Sequence, residues 1–369
     1  MQEILELSAD PILSRKLLER VKEIAIEYKE KYGRPPAIME VCGSHTMALA
    51  RTGIKKELKD YLRLISGPGC PVCVTDQKSI DAMIELAFGE NRIICTFGDM
   101  IRVPGTNHSL MEAKTEGKDI RVVYSPVDAL EIAKKNPNKE VIFLGIGFET
   151  TIPVLGVALK MADDEGIKNF SMWSSTKLVE PILRTLLETK EVKVDGFLLP
   201  GHVSIVLGKN SYQYLVDEYN VPGIISGFQS VEMLNGIYKL IKILISGKPV
   251  IENDHRRIVT DEGNTVAQKL MDKYLQPCDE PWRGIGIIAK SGLDIRPEYS
   301  YLNAKAKFKV TIGEPRKTKC RCGEIIRGLI SPDECSLFVK ACNPLNPIGP
   351  CMVSSEGTCA AYYQYMREE

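Results

Sequence analysis

The sequence predicts an α/β protein with two doubly wound parallel sheets and a third, cysteine-rich domain at the C-terminus. Short apolar runs alternate with helical patterns from about residue 35 to residue 228, a spacing typical of parallel sheets covered by helices. After residue 228 the alternation ends, and the last fifty residues contain six of the eleven cysteines. The 369 residues also exceed the roughly 250–300 at which a single hydrophobic core stops growing.

The first thirty residues predict one amphipathic helix, because apolar side chains from Leu5 to Ile26 recur near the helical period. Gly33 and the Pro35–Pro36 pair end the pattern. Eight strands are expected next, at Ala37–Val41, Leu62–Ile65, Arg92–Cys95, Arg121–Tyr124, Val141–Leu144, Phe170–Trp173, Gly196–Leu199 and Gly223–Ile225. Helices are expected between them at Ser79–Phe88, Val127–Lys135 and Pro181–Thr189.

The expected domains are residues 35–125, residues 126–228 and residues 229–369, the last completed by residues 1–34. One sheet is expected on each side of residue 126. The third domain is expected to begin with a helix and to contain two further strands. These elements are the helix Val231–Ile245 and the strands Gly284–Ala289 and Ala306–Ile312.

The charges are balanced, with 48 Lys plus Arg against 48 Asp plus Glu, which gives no electrostatic reason to expect binding to nucleic acid or to a membrane surface. No apolar run reaches the roughly 18 residues that span a bilayer. The first seven residues are acidic where a secretory signal would be basic. We therefore expect a cytoplasmic protein, in which thiols are kept reduced. Eleven cysteines there indicate metal ligation or redox chemistry.

Five of the predicted strands are followed at once by a loop of small or polar residues. In open α/β sheets, ligands bind beyond the carboxyl ends of the strands, so these loops are expected to line one or two clefts. The loops are Cys42–Thr46, Gly67–Cys73, Thr96–Asp99, Gly147–Thr151 and Pro200–Ser204.

Cys70 and Cys73 form a Cys-x-x-Cys pair, which predicts a reversible disulfide or soft metal ligands. Half of a structural zinc site is the alternative, but the sequence contains no second Cys-x-x-Cys. Cys42, with His45 three residues on, predicts a nucleophile or a metal ligand; an inert buried thiol is the alternative. Three thiols facing one cleft would suit iron, copper(I) or zinc.

The cysteine-rich tail predicts a metal site. Four thiolates would hold an iron–sulfur cubane or a zinc ion equally well. The four are Cys322, Cys335, Cys342 and Cys359. Cys320 and Cys322 are alternate residues, which point to opposite sides of an extended chain, so only one of them is expected on the metal. Cys351 is left as a packing residue or a substitute ligand.

Glu149 and His202 follow predicted strands and are candidate proton carriers or hydrogen-bond partners. For the loop that contains Glu149, helix capping by Thr150 and Thr151 is the alternative interpretation. The glycines at 145 and 147 lack the third glycine of a dinucleotide fingerprint, so nucleotide binding is not expected there. No supporting pattern accompanies the remaining thiols and imidazoles, which are Cys95, Cys278, His108 and His255.

Seven motifs, in the same order along the chain, resemble those of the HypD family of hydrogenase maturation proteins. Several of them are long, and together they cover nearly the whole chain. They are Cys42–Thr46, Gly67–Cys73, Thr96–Asp99, Arg102–Gly105, Gly147–Thr151, Pro200–Ser204 and Met352–Cys359.

The resemblance implies two Rossmann-like domains beside a C-terminal domain that binds a [4Fe–4S] cluster. It implies a scaffold on which the Fe(CN)2CO group of [NiFe]-hydrogenases is assembled, so that the second cofactor is a transient iron with cyanide and carbon monoxide ligands. The implied partners are the small protein HypC and the cyanide donor HypE. The chain would then be a metallocentre assembly factor with thiol redox activity rather than a conventional enzyme.

The resemblance also implies roles for individual residues. Cys42 matches the iron-holding cysteine of the family, and Cys70 and Cys73 match its exchangeable dithiol. The residues of its other motifs that are expected to line the same cleft are His45, Glu149 and His202. The cluster ligands map onto Cys322, Cys335, Cys342 and Cys359, with Cys320 and Cys351 open as substitutes.

Two other functions remain open from the sequence. An iron–sulfur thiol–disulfide oxidoreductase acting on a protein disulfide would use the dithiol and the cluster but would give Cys42 no necessary part. A zinc-stabilised binding module would have no redox chemistry. Metal analysis of anaerobically purified protein distinguishes an iron–sulfur protein from a zinc-stabilised module, because protein with iron and sulfide is brown and protein with zinc is colourless.

Overall fold

Two parallel sheets and one antiparallel hairpin form the framework of the chain, in a computed structural model that describes residues 9–367. The predicted α/β class with parallel sheets is confirmed. The strands are β1 Ala37–Glu40, β2 Arg63–Ser66, β3 Arg92–Thr96, β4 Ile120–Val122, β5 Glu140–Gly147, β6 Phe170–Thr176, β7 Gly196–Pro200, β8 Gly223–Ser226, β9 Ile251–Asn253, β10 Leu275–Trp282 and β11 Gly286–Ile295.

Helices separate most of these strands. The first nine α-helices are α1 Pro11–Tyr32, α2 Gly43–Arg51, α3 Ile54–Leu58, α4 Pro71–Val74, α5 Gln77–Glu85, α6 Leu110–Thr115, α7 Pro126–Lys135, α8 Ile152–Asp164 and α9 Val179–Thr189. The others are α10 Gly201–Leu207, α11 Tyr214–Asp217, α12 Ser230–Ser246, α13 Thr265–Tyr274, α14 Ala304–Lys307, α15 Cys322–Ile326, α16 Pro350–Val353 and α17 Thr358–Tyr365. Single 3-10 turns lie at Leu86–Phe88, Gly98–Met100, Asn210–Tyr212, Pro297–Leu302 and Pro332–Glu334.

The first sheet has five parallel strands in the order β2-β1-β7-β8-β9. Every residue of β1, β7 and β8 is buried, as expected for central strands covered by helices on both faces. Because all strands run in the same direction, the loops that follow β1, β2, β7 and β8 lie along one edge. The loops after β1, β2 and β7 contain three of the motifs that the sequence singles out, Cys42–Thr46, Gly67–Cys73 and Pro200–Ser204.

The second sheet has four parallel strands in the order β4-β3-β5-β6. This pairing does not follow the expected division at residue 126, since β3 and β4 precede that residue but pair with β5 and β6, which follow it. The first sheet is built from chain segments that precede and follow the second sheet. Residues 92–176, which form the second sheet, are therefore inserted between β2 and β7. Local periodicity predicts strands but carries no information on which strands pair, and that is why the expectation was wrong.

The N-terminal helix α1 begins where Asp10 accepts hydrogen bonds from the backbone N–H groups of Ile12 and Leu13, and it ends at Gly33 with φ +72°. Its buried face, which includes Val21 and Ala25, packs against α12 and the first sheet. The predicted helix is confirmed from residue 11, and Leu5 lies outside the described residues. The interface with α12 stabilises the outer face of the sheet by excluding water from it.

The chain beyond the first sheet contains little regular structure. β10 and β11 form the hairpin, and the predicted strand Gly284–Ala289 lies within its second half and turn. The strand predicted at Ala306–Ile312 is wrong, because Ala304–Lys307 is a helical turn capped by the Asn303 side chain and residues 308–321 form no regular element. Lysines alternate with apolar residues in this segment, as they do in a half-exposed strand, but the segment has no neighbouring strand with which to pair.

Candidate functional site

Cys42 and the Cys70–Cys73 loop lie against each other at the edge of the first sheet. β1 pairs with β2 in register, with Glu40 opposite Ser66, so the two strands end side by side. The backbone N–H of Gly43 donates to the carbonyl of Gly69 at 3.3 Å. A Cβ atom on Gly69 would stand 2.5 Å from the Cα atom of Cys42, so only glycine permits this approach. The expected convergence of the two loops is therefore present.

A buried ion pair fixes the strand ends beneath these loops. The Lys55 ammonium donates to Glu40 Oε1 at 2.8 Å and to Ser66 Oγ at 2.7 Å, and Ser66 Oγ donates to the same carboxylate oxygen at 2.8 Å. Burial lowers the pKa of Lys55, but the Glu40 carboxylate outweighs it and holds that pKa above its usual value. Removing one partner would leave a buried charge unpaired, which costs roughly 3–5 kcal/mol.

Cys70 and Cys73 form a disulfide across the first turn of α4, with a Cα–Cα distance of 5.3 Å. Cys70 caps this short helix, and its sulfur accepts a hydrogen bond from the Cys73 N–H at 3.2 Å. The two residues are 5% and 1% exposed. The pair therefore lies inside the protein, where a large substrate does not reach it directly.

His45 and His202 lie on either side of the Phe228 ring, with centroid distances of 4.6 Å and 4.1 Å. His45 is fully buried, and its Nε2 atom is 3.0 Å from the carbonyl oxygen of Gly227. Burial lowers the pKa of His45 to about 4, so the imidazole is neutral at neutral pH. The loops after β1, β7 and β8 thus place both predicted histidines in one group.

Glu149 follows β5 of the second sheet and is 3% exposed. One of its carboxylate oxygens accepts a hydrogen bond from the Val179 N–H at 2.8 Å, and the other has no partner among the described residues. Burial raises the pKa of Glu149 to about 7, so the carboxyl can release or take a proton near neutral pH. Thr151 precedes α8 without a side-chain capping bond.

Tyr212, in the 3-10 turn Asn210–Tyr212, is a buried residue that was not singled out from the sequence. Its ring is 1% exposed, and its hydroxyl accepts a hydrogen bond from Ser204 at 3.2 Å. Burial raises the pKa of Tyr212, and the charges of Glu149 and Cys42 raise it further. The Tyr212 phenol therefore lies within electrostatic range of both Glu149 and Cys42.

Glu356 is a second residue that the sequence did not mark individually, although it lies in the motif Met352–Cys359. Its carboxylate accepts a hydrogen bond from Ser44 at 2.6 Å. The neighbouring hydroxyls of Ser354 and Ser355 donate to Asp99 at 3.0 Å and 3.2 Å. This short segment joins the Cys42 loop of the first sheet to the Asp99 loop of the second.

The Cys42 thiol is partly exposed beside this carboxylate. Burial raises the pKa of Cys42 to about 11, with a further contribution from the Glu356 charge. The N–H groups of His45 and Ser44 act in the opposite direction. Without a metal, Cys42 is therefore a thiol at neutral pH, and a metal ion that bound there would displace its proton.

The six tail cysteines gather in one region although they are dispersed over forty residues. Five of them belong to one buried cluster of side chains, and Cys320 packs against it. The Cys351 sulfur accepts a hydrogen bond from the Cys359 N–H at 3.1 Å. Burial raises the pKa of Cys342, and its sulfur accepts a hydrogen bond from the Ile348 N–H at 3.4 Å. Cys320 and Cys335 are near enough to Cys342 to contribute to the rise of its pKa.

The expectation that Cys320 and Cys322 point to opposite sides is wrong, since both side chains face Gly349: a Cβ atom added there would lie 2.7 Å from the Cys320 sulfur and 3.5 Å from the Cys322 Cβ atom. The reason is local: Arg321 has φ −98° and ψ 24°, so the chain is bent and not extended between them. Cys351 is 1% exposed, and its sulfur faces the Cys359 N–H group. Within residues 9–367 no three Cys, His, Asp or Glu side chains are already arranged around one point as a metal ion requires.

The disulfide and the tail cysteines belong to one buried cluster of side chains. Helix α4 contacts both α15, which begins at Cys322, and α16, which contains Cys351. The Arg283 N–H donates to the Val74 carbonyl at 2.7 Å, which fixes the end of α4 to the hairpin. The sequence pattern could not predict this contact, because more than 240 residues separate Cys73 from Cys320.

The other thiols and imidazoles lie in different surroundings. Cys95 is fully buried in β3, and Cys278 lies half-buried in the hairpin. His108 is near Glu116 on the surface. His255, for which no role was expected, contributes to the histidine group, because a Cβ on Gly201 would lie 3.3 Å from Phe228 and 3.5 Å from the His255 ring.

Comparison with known proteins identifies the family. Residues 13–366 match the HypD family model, described as hydrogenase formation hypA family. The chain belongs to the HypD family. It is 41% identical over 358 residues to the hydrogenase maturation factor HypD of Escherichia coli, which covers 96% of this chain and 95% of that protein.

Relatives occur in other bacteria and in archaea. The hydrogenase maturation factor HypD of Rhodobacter capsulatus is 41% identical over 362 residues, which is 96% of each chain. A putative hydrogenase expression/formation protein of Methanocaldococcus jannaschii is 39% identical, over 97% of this chain and 98% of the relative. The family resemblance inferred from the motifs is therefore confirmed.

Among the helices of residues 9–367, none has the length and apolar character needed to cross a membrane.

We predict that Glu356→Gln lowers the pKa of Cys42 in the metal-free HypD-family chain, because it removes a neighbouring negative charge and keeps the hydrogen bond from Ser44. Alkylation of Cys42 by iodoacetamide at pH 8, followed by mass spectrometry, should become about three to ten times faster. Glu90→Gln, an exposed substitution, serves as the control. An unchanged pH profile in Glu356→Gln would show that burial alone sets the pKa.

Proposed function

We propose that this chain is a hydrogenase maturation factor that serves as the scaffold for assembly of the Fe(CN)2CO group of [NiFe]-hydrogenases. The observation that carries the proposal is the continuous contact from Cys42 to the Cys70–Cys73 loop and from α4 to the tail cysteines. A thiol for the iron, a reducible pair and a group of metal-binding thiols are the three parts that such an assembly needs. Membership of the HypD family supports the same function.

Cys42 is proposed to hold the iron that receives cyanide and carbon monoxide. This thiol is the partly exposed one at the sheet edge, whereas Cys70 and Cys73 behind it are buried. Binding of iron would replace the thiol proton, and His45, neutral because of its burial, would not repel the metal. Thiolate is a soft ligand that suits iron bearing strong-field ligands.

Glu149 and His202 are proposed to handle protons in the same cleft. The pKa of Glu149, raised by burial to about 7, lets this carboxyl exchange protons at the pH of the cell interior. Burial also lowers the pKa of His202, so its imidazole accepts a proton only transiently. Reduction of the Cys70–Cys73 disulfide consumes two protons, and we propose that these groups supply them.

The tail cysteines fit a resident [4Fe–4S] cluster by the chemistry of their donor atoms. Cys322, Cys335, Cys342 and Cys359 are all buried, and soft thiols are the usual ligands of such clusters. Backbone N–H groups already donate to the sulfurs of Cys342 and Cys351, as expected around cluster thiolates. A bound cluster would supply single electrons. Cys320 and Cys351 lie in the same region and are the alternative ligands for one of the four positions.

The Cys70–Cys73 pair is proposed to alternate between disulfide and dithiol. The contact of α4 with α15 and α16 brings the pair close to the proposed cluster ligands, and the contact of Gly69 with Cys42 brings it close to the iron. Opening of the disulfide would free thiolates beside Cys42 for iron or for the incoming cyanide. The proposed partners are HypC, which shares the iron, and HypE, which delivers cyanide.

The burial of the disulfide favours this internal role over an oxidoreductase that acts on other proteins. An attacking thiol must reach the sulfur of its substrate, but Cys70 and Cys73 are 5% and 1% exposed. Thiol turnover with a protein substrate that is unaffected by Cys42→Ala would support the oxidoreductase instead.

We expect Cys42→Ala to abolish the infrared bands of iron-bound cyanide and carbon monoxide, because the metal loses its protein ligand. The measurement is infrared spectroscopy of the anaerobic complex with HypC. Cys278→Ala, which changes a half-buried thiol of the hairpin, should keep the bands. Bands of unchanged intensity in Cys42→Ala would sink the proposed scaffold role.

We expect Cys70→Ser to abolish assembly of the iron ligands but to keep the brown colour, because the dithiol and the cluster ligands are separate groups. Visible absorption and infrared spectra of the same anaerobic sample measure both properties. Loss of colour in this variant would contradict the separation of roles.

We expect Cys359→Ser to reduce bound iron and sulfide from about four atoms each per chain to nearly none. Cys95→Ser, a fully buried thiol of the second sheet, is the matched control and should retain both. Elemental analysis of anaerobically purified protein tests this, and zinc without sulfide in the wild-type protein would favour a zinc-stabilised module.

A further inference from the structure

A cavity of about 1050 Å³ opens beside the tail cysteines, and the proposed assembly function assigns a role to only two of the residues that line it, Cys320 and Cys322. Its walls come from four parts of the chain: Gln77, residues 102–112, the turn of the β10–β11 hairpin, and residues 316–349. Cys320 and Cys322 form part of its lining. The cavity therefore gives access from the surface to the region in which the tail thiols gather.

The lining of the cavity is strongly basic in a chain whose net charge is zero. Seven arginine and lysine side chains line it against two glutamates. Arg321 pairs with Glu324, and Arg327 pairs with Glu191. The five other cations form no ion pair with a carboxylate of residues 9–367, and they are Arg102, Arg283, Arg316, Lys317 and Lys319.

Arg283 is fixed in the wall between the cavity and the disulfide. Its Nε atom donates to the Thr75 carbonyl at 2.9 Å, and Nη1 donates to Gln77 at 3.3 Å. The second terminal nitrogen, Nη2, is buried without a hydrogen-bond partner among the described residues. A buried guanidinium nitrogen that lacks an acceptor is costly unless a negatively charged partner supplies one.

Exposed apolar side chains at the rim indicate that the partner is a protein. Leu345 is 97% exposed and Met111 is 40% exposed, and Pro344 and Pro347 flank the leucine in the same wall. An apolar contact surrounded by charges is typical of a protein interface. The lining contains no Phe, Tyr or Trp on which a nucleic-acid base would stack. The surface therefore favours an acidic protein over a nucleic acid.

We propose that this basic cavity is the docking site of a small acidic one-electron carrier protein, of the ferredoxin class, which supplies the electrons that open the Cys70–Cys73 disulfide. This inference rests on the redox role proposed above. Positive charge around the cavity would attract the acidic carrier and orient it. Docking there places its redox centre next to Cys320 and Cys322, and the helix that begins at Cys322 contacts α4.

The electrons and protons of the step balance with this donor. Two reduced carrier molecules are each oxidised by one electron. The two electrons break the S–S bond of Cys70–Cys73, and each sulfur takes one electron and one proton to become a thiol. Reduction of the disulfide needs two electrons, whereas the carrier delivers one at a time. This difference explains why a group of metal-binding thiols lies between the cavity and the disulfide.

Binding of a plant-type [2Fe–2S] ferredoxin to the full-length anaerobic protein tests the docking site. We expect Lys317→Glu/Lys319→Glu to weaken binding at least about tenfold in isothermal titration calorimetry, because both side chains are exposed and face the carrier. Lys242→Glu/Lys248→Glu introduces the same charge change on exposed lysines of α12 and the loop after it and should have no effect. The affinity of the wild-type protein for ferredoxin should also fall about tenfold when the salt concentration is raised from 50 to 300 mM.

A second measurement separates this inference from the proposed function. Reduction of Cys70–Cys73, counted by alkylation and mass spectrometry, is followed with reduced ferredoxin and with dithiothreitol, a neutral thiol that needs no docking. We expect the double variant to be slow with ferredoxin and normal with dithiothreitol.

The docking site is overturned if ferredoxin reduces both double variants equally fast. It is also overturned if ferredoxin does not bind the wild-type protein, or binds it with an affinity that salt does not change. Either result leaves the redox role intact. A different result would support the docking site and overturn the redox role. In that case ferredoxin binding depends on salt and is removed by the Lys317 and Lys319 changes, but neither ferredoxin nor dithiothreitol reduces the disulfide.

Discussion

The close approach of two backbone segments, Gly69 against Cys42, is the constraint on which the rest of the site depends. Parallel pairing of β1 with β2 brings the ends of the two strands together, and the buried Lys55–Glu40 pair fixes them. Any side chain at Gly69 would stand 2.5 Å from the Cys42 backbone. The thiol at the edge and the disulfide behind it are thus held by backbone geometry and not by flexible side chains.

The inserted second sheet completes the site from the opposite side. Glu149 and the Asp99 loop come from this sheet, whereas Cys42, His45 and His202 come from the first. The Ser354–Glu356 segment joins the two, through Ser44 on one side and Asp99 on the other. Burial keeps most of the titratable groups here neutral, so a metal thiolate formed at Cys42 would be the dominant charge in the cleft.

Hydrophobic patterning predicted most of the regular structure correctly. All eight strands expected before residue 228 are present within a few residues of their predicted bounds, because buried parallel strands require uninterrupted apolar runs. The strand expected at Ala306–Ile312 failed, since alternation without a pairing neighbour does not form a strand. Arg321 bends the chain at Cys320 and Cys322, and a rule based on extended geometry could not anticipate that bend.

The sequence by itself determined the family, the strands and the loops that bear the reactive side chains, because these properties are local and are encoded in residue type and spacing. Only the tertiary structure decided which loops meet. It paired β3 and β4 with the second sheet, brought Glu356 and Tyr212 to Cys42, and gathered the basic side chains beside Cys320. Such contacts join residues far apart in the chain, and they depend on how the sheets and helices pack around the whole core.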